Sequence, residues 1–141
     1  MRVVEIQELL GLDVGQARTG VARASMYARL SEPFTTLKTK DIYQQLQKII
    51  TAHKTDAIVV GLPRAQSGKD TAQSIWTRAW VDEAKNHINK PFYWQDESLT
   101  TKMAEARQMS DKKSTHSADA LAAAIILQDF LDTPETGREL C

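Results

Sequence analysis

The amino-acid sequence predicts an α/β fold in which a mixed, five-stranded sheet is flanked by helices. Three strand-like segments follow one another in the first third of the 141 residues, and strands then alternate with helical segments. Successive strands predict an antiparallel meander, and β/α alternation predicts parallel strands joined by crossover helices. Hydrophobic residues make up 42% and charged residues 26%, which is typical of a globular domain and excludes a disordered or fibrous chain.

The meander is predicted from three short segments with strand-like composition. Glu8–Val14 is an apolar segment that predicts the first strand, and turn-forming residues follow it at positions 15–17. Positions 19–24 and 33–37 predict the second and third strands. The first third of the chain therefore supplies the antiparallel part of the sheet.

The alternating part begins with a helix over residues 41–54. Asp41 and Gln44 resemble a capping box at its start. A β-branched run at positions 56–60 continues into 61–63 and predicts a buried strand after this helix. The apolar residues that recur at helical spacing within the helix are Ile42, Leu46, Ile49 and Ile50.

Four more elements complete the predicted fold. They are a helix over residues 70–87, a strand over 91–95, and helices over 99–109 and 117–131. Residues 1–131 are then a single domain, and the acidic segment 132–141 is expected to be a loose tail. In the first of these helices, the buried residues are expected to include Ala72, Trp76, Ala79 and Ala84.

Composition and charge narrow the functional classes. Eighteen Lys and Arg residues balance eighteen Asp and Glu residues, so any binding of nucleic acid must come from local patches. The longest uniformly apolar stretch, residues 120–127, is far shorter than the ~18 residues that span a bilayer, and no secretory signal is expected. Cys141 is the only cysteine, which rules out an internal disulfide and favours the reducing cytoplasm.

Three groups of carboxylates lie where predicted elements begin or end. Asp13 stands near the end of the first strand, and Asp119 lies in the first turn of the last helix. Asp96 and Glu97 follow the last predicted strand. Such positions gather at one edge of an α/β sheet, where converging carboxylates repel one another unless a divalent cation neutralises them. Hard oxygen ligands suit Mg²⁺ or Mn²⁺, so the pattern indicates metal-assisted cleavage of phosphodiester bonds.

Each carboxylate also has a structural explanation, and this alternative stays open. Asp13 is suited to a turn, and Asp119 at a helix N-terminus stabilises the helix dipole. Asp96 and Glu97 are suited to the solvated start of a helix. Only the joint placement of these carboxylates favours a metal site over the structural explanations.

Four segments together resemble one family, the YqgF (RuvX) proteins. Residues 11–22, GLDVGQARTGVA, follow its D-x-G-x-x-R-x-G-x-A opening, and DAIVVGLP at 56–63, with Gly68, follows its G-L-P…G loop. DESLTT at 96–101 is close to the family's D-E-R-L-T-T, and ADALAAAIILQDFL at 118–131 is close to its final segment. No single segment is specific, but their order and spacing are specific in combination.

The resemblance implies an RNase H-like fold and a nuclease that acts on pre-16S ribosomal RNA or on Holliday junctions. It also implies that Asp13, Glu97 and Asp119 bind Mg²⁺ or Mn²⁺ and carry out catalysis. Asp96 is a candidate helper beside them. Arg18 matches the arginine of the family's first hairpin and is expected to hold a backbone phosphate.

Three further residues are candidates for the same site. Lys69, together with Arg64, would extend a basic patch toward nucleic acid if the 61–70 loop folds over the same edge of the sheet. His116 lies three residues before Asp119 and is a candidate for proton transfer.

The main expectation is a metal-dependent nuclease that processes the 5′ end of pre-16S ribosomal RNA, as a monomer or homodimer and with the ribosome as a candidate partner. Two alternatives stay open. One is cleavage of a Holliday junction, which a stable dimer would favour because symmetrical cutting needs two active sites. The other is a catalytically silent domain that binds RNA or protein, because Ser98 replaces the arginine of the family motif.

Overall fold

The computed structural model describes residues 5–64, 67, 69–98 and 117–141, with the backbone alone at positions 64, 97 and 98. Within these residues, six strands form one sheet and three α-helices pack on it. The strands are β1 (Glu8–Val14), β2 (Arg18–Ser25), β3 (Ser31–Lys38), β4 (Ala57–Arg64), β5 (Phe92–Ser98) and β6 (Glu139–Leu140). The helices are α1 (Ile42–His53), α2 (Ala72–Ala84) and α3 (Ala118–Asp132).

The sheet is mixed, as predicted, and its strand order is β3-β2-β1-β4-β5-β6. Strands β1, β2 and β3 form the antiparallel meander, whereas β1, β4 and β5 run parallel to one another. Helix α2 is the crossover between β4 and β5. The carboxyl ends of the three parallel strands therefore lie at one edge of the sheet, which is the edge where ligands bind in such folds.

The sixth strand corrects the prediction of five. It comes from segment 132–141, which the sequence predicts as a loose tail, and it pairs with β5 in antiparallel register. The Cys141 N–H donates to the Phe92 carbonyl at 2.9 Å, and the Lys85 ammonium donates to the Cys141 carbonyl at 2.9 Å. A strand of two residues is too short to show the apolar alternation from which strands are predicted.

Both faces of the sheet are covered by helices. Helices α1 and α2 pack on one face, and α3 packs on the other. Glycines on β1 and β4 permit the close approach of α3 to the middle of the sheet. A Cβ added at Gly11 would lie 2.7 Å from Leu127 Cβ, and one at Gly61 would lie 2.4 Å from Ile126 Cδ1. The absence of side chains at these two positions thus lets α3 lie directly against β1 and β4.

The predicted helices are present where the structure describes them, but one cap differs. Asp41 precedes α1 in the left-handed region (φ 61°) and its side chain makes no capping hydrogen bond, so it forms no capping box with Gln44. The capping box is found at the start of α2, between Thr71 and Ser74. The helix predicted over 99–109 lies outside the described residues. None of the helices in the described part of the chain has the length and hydropathy needed to cross a membrane.

The residues that helix α2 buries differ from those expected from the sequence. Ala84 is buried as predicted and Trp76 is half-buried, whereas Ala72 and Ala79 are exposed. Thr77 is buried, and its hydroxyl is satisfied there because it donates to a backbone carbonyl one turn earlier in the helix. The sequence alone does not reveal that such a hydroxyl is satisfied internally. The buried residues of α2 are Ser74, Thr77, Trp80, Val81 and Ala84.

The Cys141 thiol is expected to be unreactive in the folded protein. Burial raises its pKa to about 12, against the lowering effect of the nearby Lys85 ammonium. A raised pKa means less thiolate at any lower pH, and the thiolate is the reactive form. We expect labelling with a disulfide reagent at pH 8 to be at least about tenfold slower in the folded protein than in urea. Equal rates in the two states would contradict the burial of this thiol.

Candidate active site

Asp13 and Asp119 are brought to the same end of the sheet by Gly20. Asp13 lies opposite Gly20 in the antiparallel register of β1 and β2. The first turn of α3 lies directly on this glycine, because a Cβ added at Gly20 would be 1.8 Å from the Asp119 carbonyl oxygen. Both aspartates are partly exposed. Gly20 therefore lies next to both Asp13 and Asp119, which are 106 positions apart in the chain (119 minus 13). Two of the three predicted carboxylate positions thus come to the same place in the fold.

The register of β5 distinguishes position 97 from position 96. Glu97 pairs with Pro63 of β4, near the carboxyl end of both strands. Alternate strand residues face opposite sides of a sheet. Tyr93 packs on the α3 side and Trp94 on the α1/α2 side. Position 97 therefore shares the α3 face with Asp13, and position 96 belongs to the opposite face.

Arg18 forms an ion pair with one of the candidate carboxylates. Its Nε lies 3.0 Å from Asp119 Oδ2, and the two side chains are 69% and 32% exposed. Both residues are held in place locally, Arg18 at the start of β2 and Asp119 in the first turn of α3. Ser117 caps that turn by accepting from the Ala120 N–H at 3.2 Å. The arginine that the sequence assigns to a phosphate thus holds an acidic residue of the same site.

Thr39 is a residue of this site that the sequence does not reveal. It follows β3, and its hydroxyl donates to the Gly15 carbonyl at 2.6 Å while its N–H donates to the Ala17 carbonyl at 3.0 Å. The hydroxyl also lies 2.8 Å from that of the buried Thr19. Thr39 therefore holds the β1–β2 turn, and Arg18 is the first residue of the strand that follows this turn. Only the pairing of β3 with β2 brings it there, and no local motif marks it.

Of the further candidates Arg64, Lys69 and His116, only Lys69 has a described side chain. Lys69 is exposed just before Asp70, whose carboxylate is 3.5 Å from Arg78 Nη2 on α2. This ion pair joins Asp70, at the end of the 61–70 loop, to α2. His116 lies outside the described residues.

The described side chains include no group of three or more His, Cys, Asp or Glu residues arranged to hold a metal ion. The side chain of Glu97 is not among them, and the site has two described carboxylates, those of Asp13 and Asp119. Partly exposed carboxylate oxygens at a strand end and a helix start fit Mg²⁺ or Mn²⁺, which take hard oxygen ligands and retain several waters. The donor set of Asp13 and Asp119 is thus chemically suited to these ions.

Comparison with known proteins finds a matching family model and similar relatives. Residues 7–133 match a family model described as RuvX: Holliday junction resolvase. A protein of Roseiflexus sp. (strain RS-1), named "Putative pre-16S rRNA nuclease", is 38% identical over 133 residues, 89% of this chain and 94% of the relative. A protein of the same name from Sulfurihydrogenibium sp. (strain YO3AOP1) is 31% identical over 90% of this chain and 91% of its own length.

Solved structures confirm the RNase H-like fold. The structure described as "T. thermophilus RuvC in complex with Holliday junction substrate" superposes with a TM-score of 0.59 over 96% of this chain and 99% of that one. Sequence identity is 17%, so this likeness concerns the fold alone. A human cytomegalovirus terminase nuclease domain gives a TM-score of 0.51 at 11% identity. The fold is therefore shared by a RuvC and by a terminase nuclease domain, and by itself it does not identify a substrate.

Proposed function

The chain belongs to the RuvX family and is a nuclease, and from this we propose that it cuts phosphodiester bonds with Mg²⁺ or Mn²⁺ held by Asp13, Glu97 and Asp119. The observation that carries the proposal is the contact of Asp119 with Gly20, directly across the strand pair from Asp13. The register of Glu97 on the same face supports its inclusion.

In this proposal, the residues of the chain have separate tasks. The carboxylates of Asp13, Glu97 and Asp119 bind the cation, which when bound would lower the pKa of a water and stabilise the leaving oxygen. Arg18 binds a backbone phosphate through its exposed guanidinium. Lys69 is proposed as a second phosphate contact, further along the same nucleic acid.

We propose the 5′ region of pre-16S ribosomal RNA as the substrate. The names of the relatives from Roseiflexus and Sulfurihydrogenibium support this choice. The balanced charge of the chain favours positioning by a partner such as the ribosome over strong intrinsic affinity for RNA. A four-way DNA junction is the second candidate substrate, favoured by the description of the family model. A silent binding domain is the third candidate, favoured by Ser98 in this chain. It is disfavoured by the names of the relatives, which are nucleases.

The proposal is tested by offering three labelled substrates to the purified protein. They are an RNA that spans the 5′ end of the 16S precursor, an unstructured RNA of the same length, and a four-way DNA junction. We expect cutting of the precursor RNA with Mn²⁺ or Mg²⁺ and none with EDTA. If the four-way junction were cut in preference, the proposed substrate would be wrong, and the proposed metal-dependent nuclease activity would stand. Cutting that persists in EDTA would refute the metal site.

A further inference from the structure

Arg18 is bonded to Asp119, although the proposed function assigns each of them a different partner. Arg18 Nε donates to Asp119 Oδ2 at 3.0 Å, whereas the proposal gives Asp119 a cation and Arg18 a phosphate. We propose that the Arg18 guanidinium exchanges between Asp119 and a phosphate of the nucleic acid, so that binding of nucleic acid releases the Asp119 oxygen for the cation. The inference rests on the proposed function and adds a coupling between its two ligands.

The backbone on the Asp119 side of this pair cannot move far. The Asp119 carbonyl lies against Gly20 with no space for even a Cβ between them. The same turn of α3 is held by the Ser117 cap on the Ala120 N–H. The Ser117 hydroxyl in turn contacts the Thr36 hydroxyl of β3. Separation of the ion pair by a shift of α3 would therefore break several contacts at once.

The backbone on the Arg18 side is also fixed. The Gly15 N–H donates to the Arg18 carbonyl at 2.9 Å and closes the turn. Thr39 holds the same turn through the carbonyls of Gly15 and Ala17. Because the backbone is held on both sides of the ion pair, the part that can move is the Arg18 side chain, which is 69% exposed. Exchange thus needs a rotation of this side chain and no rearrangement of the fold.

The energetics favour such an exchange. The Arg18 side chain is largely exposed and that of Asp119 is partly exposed, and an ion pair so open to water is weak and easily broken. A guanidinium can bind phosphate through two parallel hydrogen bonds, whereas the contact with Asp119 is made through Nε, so phosphate can compete for Arg18. In the pair with Asp119, the positive charge of Arg18 opposes a cation at the same carboxylate. Because coupling between two ligands is reciprocal, nucleic acid raises the affinity for the cation and the cation raises the affinity for nucleic acid.

The experiment measures the Kd of Mn²⁺ by calorimetry for the wild-type protein and Arg18→Gln, with and without an RNA hairpin made nuclease-resistant by phosphorothioate linkages. Without RNA, Arg18→Gln is expected to bind Mn²⁺ about two- to fivefold more tightly, the equivalent of one exposed ion pair. RNA should tighten Mn²⁺ binding by the wild-type protein and do so less in Arg18→Gln. Arg23→Gln is the matched control, since Arg23 lies on the same strand and its Nη1 is 4.0 Å from Glu32.

The outcomes separate this inference from the function on which it rests. Unchanged or weaker Mn²⁺ binding by Arg18→Gln, with normal binding by the wild-type protein, would overturn the exchange and leave the metal site standing. The same conclusion would follow if RNA had no effect on Mn²⁺ binding by the wild-type protein. Equal tightening in Arg23→Gln would show a general effect of charge and would also overturn the exchange. If the wild-type protein bound no Mn²⁺, the metal site itself would fail, and the exchange with it.

Discussion

Replacing Asp13 with asparagine is expected to lower metal-dependent cleavage by at least about 10³-fold, because the ion contributes several kcal/mol of transition-state stabilisation that depends on its ligands. Asparagine has nearly the same shape as aspartate, so the partly exposed end of β1 should keep its structure. The free energy of unfolding should change by less than about 0.5 kcal/mol. Single-turnover cleavage and urea denaturation measure the two effects independently.

The matched control for this variant is Asp82→Asn, which removes the same charge from an exposed position on α2. It should cleave like the wild-type protein. Calorimetry with Mn²⁺ supplies a second readout, since Asp13→Asn should bind the ion more weakly and Asp82→Asn should not. Retained cleavage by Asp13→Asn would mean that Asp13 has the turn-forming role suggested as the alternative. A large loss of stability would point to the same structural role.

Those parts of the fold that the sequence predicted well have strong local signals. Glu8–Val14 was predicted with the bounds that β1 shows, because an apolar run ends at a turn marked by Gly15. The sequence predicts the last helix at 117–131, and the structure has it at Ala118–Asp132, with Asp119 in its first turn. Apolar periodicity and turn residues act within a few positions of one another, which is why they can be found in one sequence.

The features that the sequence did not reveal are contacts between distant positions. The two residues of β6 gain their structure from pairing with β5. Thr39 reaches the Gly15 turn only because β3 folds back on β2. The bond between Arg18 and Asp119 joins residues 101 positions apart. Each side chain in these contacts looks ordinary in the sequence, because its role depends on a partner that only the tertiary structure supplies.

Replacing Gly20 with alanine is expected to cost at least about 3 kcal/mol of unfolding free energy, above the usual penalty for one extra methyl group in a packed site. The new Cβ would lie 1.8 Å from the Asp119 carbonyl oxygen and 2.9 Å from the Ala120 nitrogen. These are backbone atoms, so the first turn of α3 would have to move away from β2. Asp119 would then leave Asp13, and Mn²⁺ binding and cleavage should fall in the molecules that stay folded. Urea denaturation and calorimetry test both effects.

Two other glycines show whether the backbone contact is the cause. Gly137→Ala should change the stability by less than about 0.5 kcal/mol, since its nearest neighbour is a side-chain methyl 3.3 Å away. Gly61→Ala should be destabilising, but its clash is with Ile126 Cδ1, so Ile126→Val in the same chain should restore part of the loss. Gly20 has no such compensating substitution, because every residue at position 119 has the same backbone. A Gly20→Ala protein with wild-type stability and activity would show that α3 does not lie on β2 at this point. The contact with Gly20 would then not be what brings Asp119 close to Asp13, even if both aspartates proved essential for cleavage.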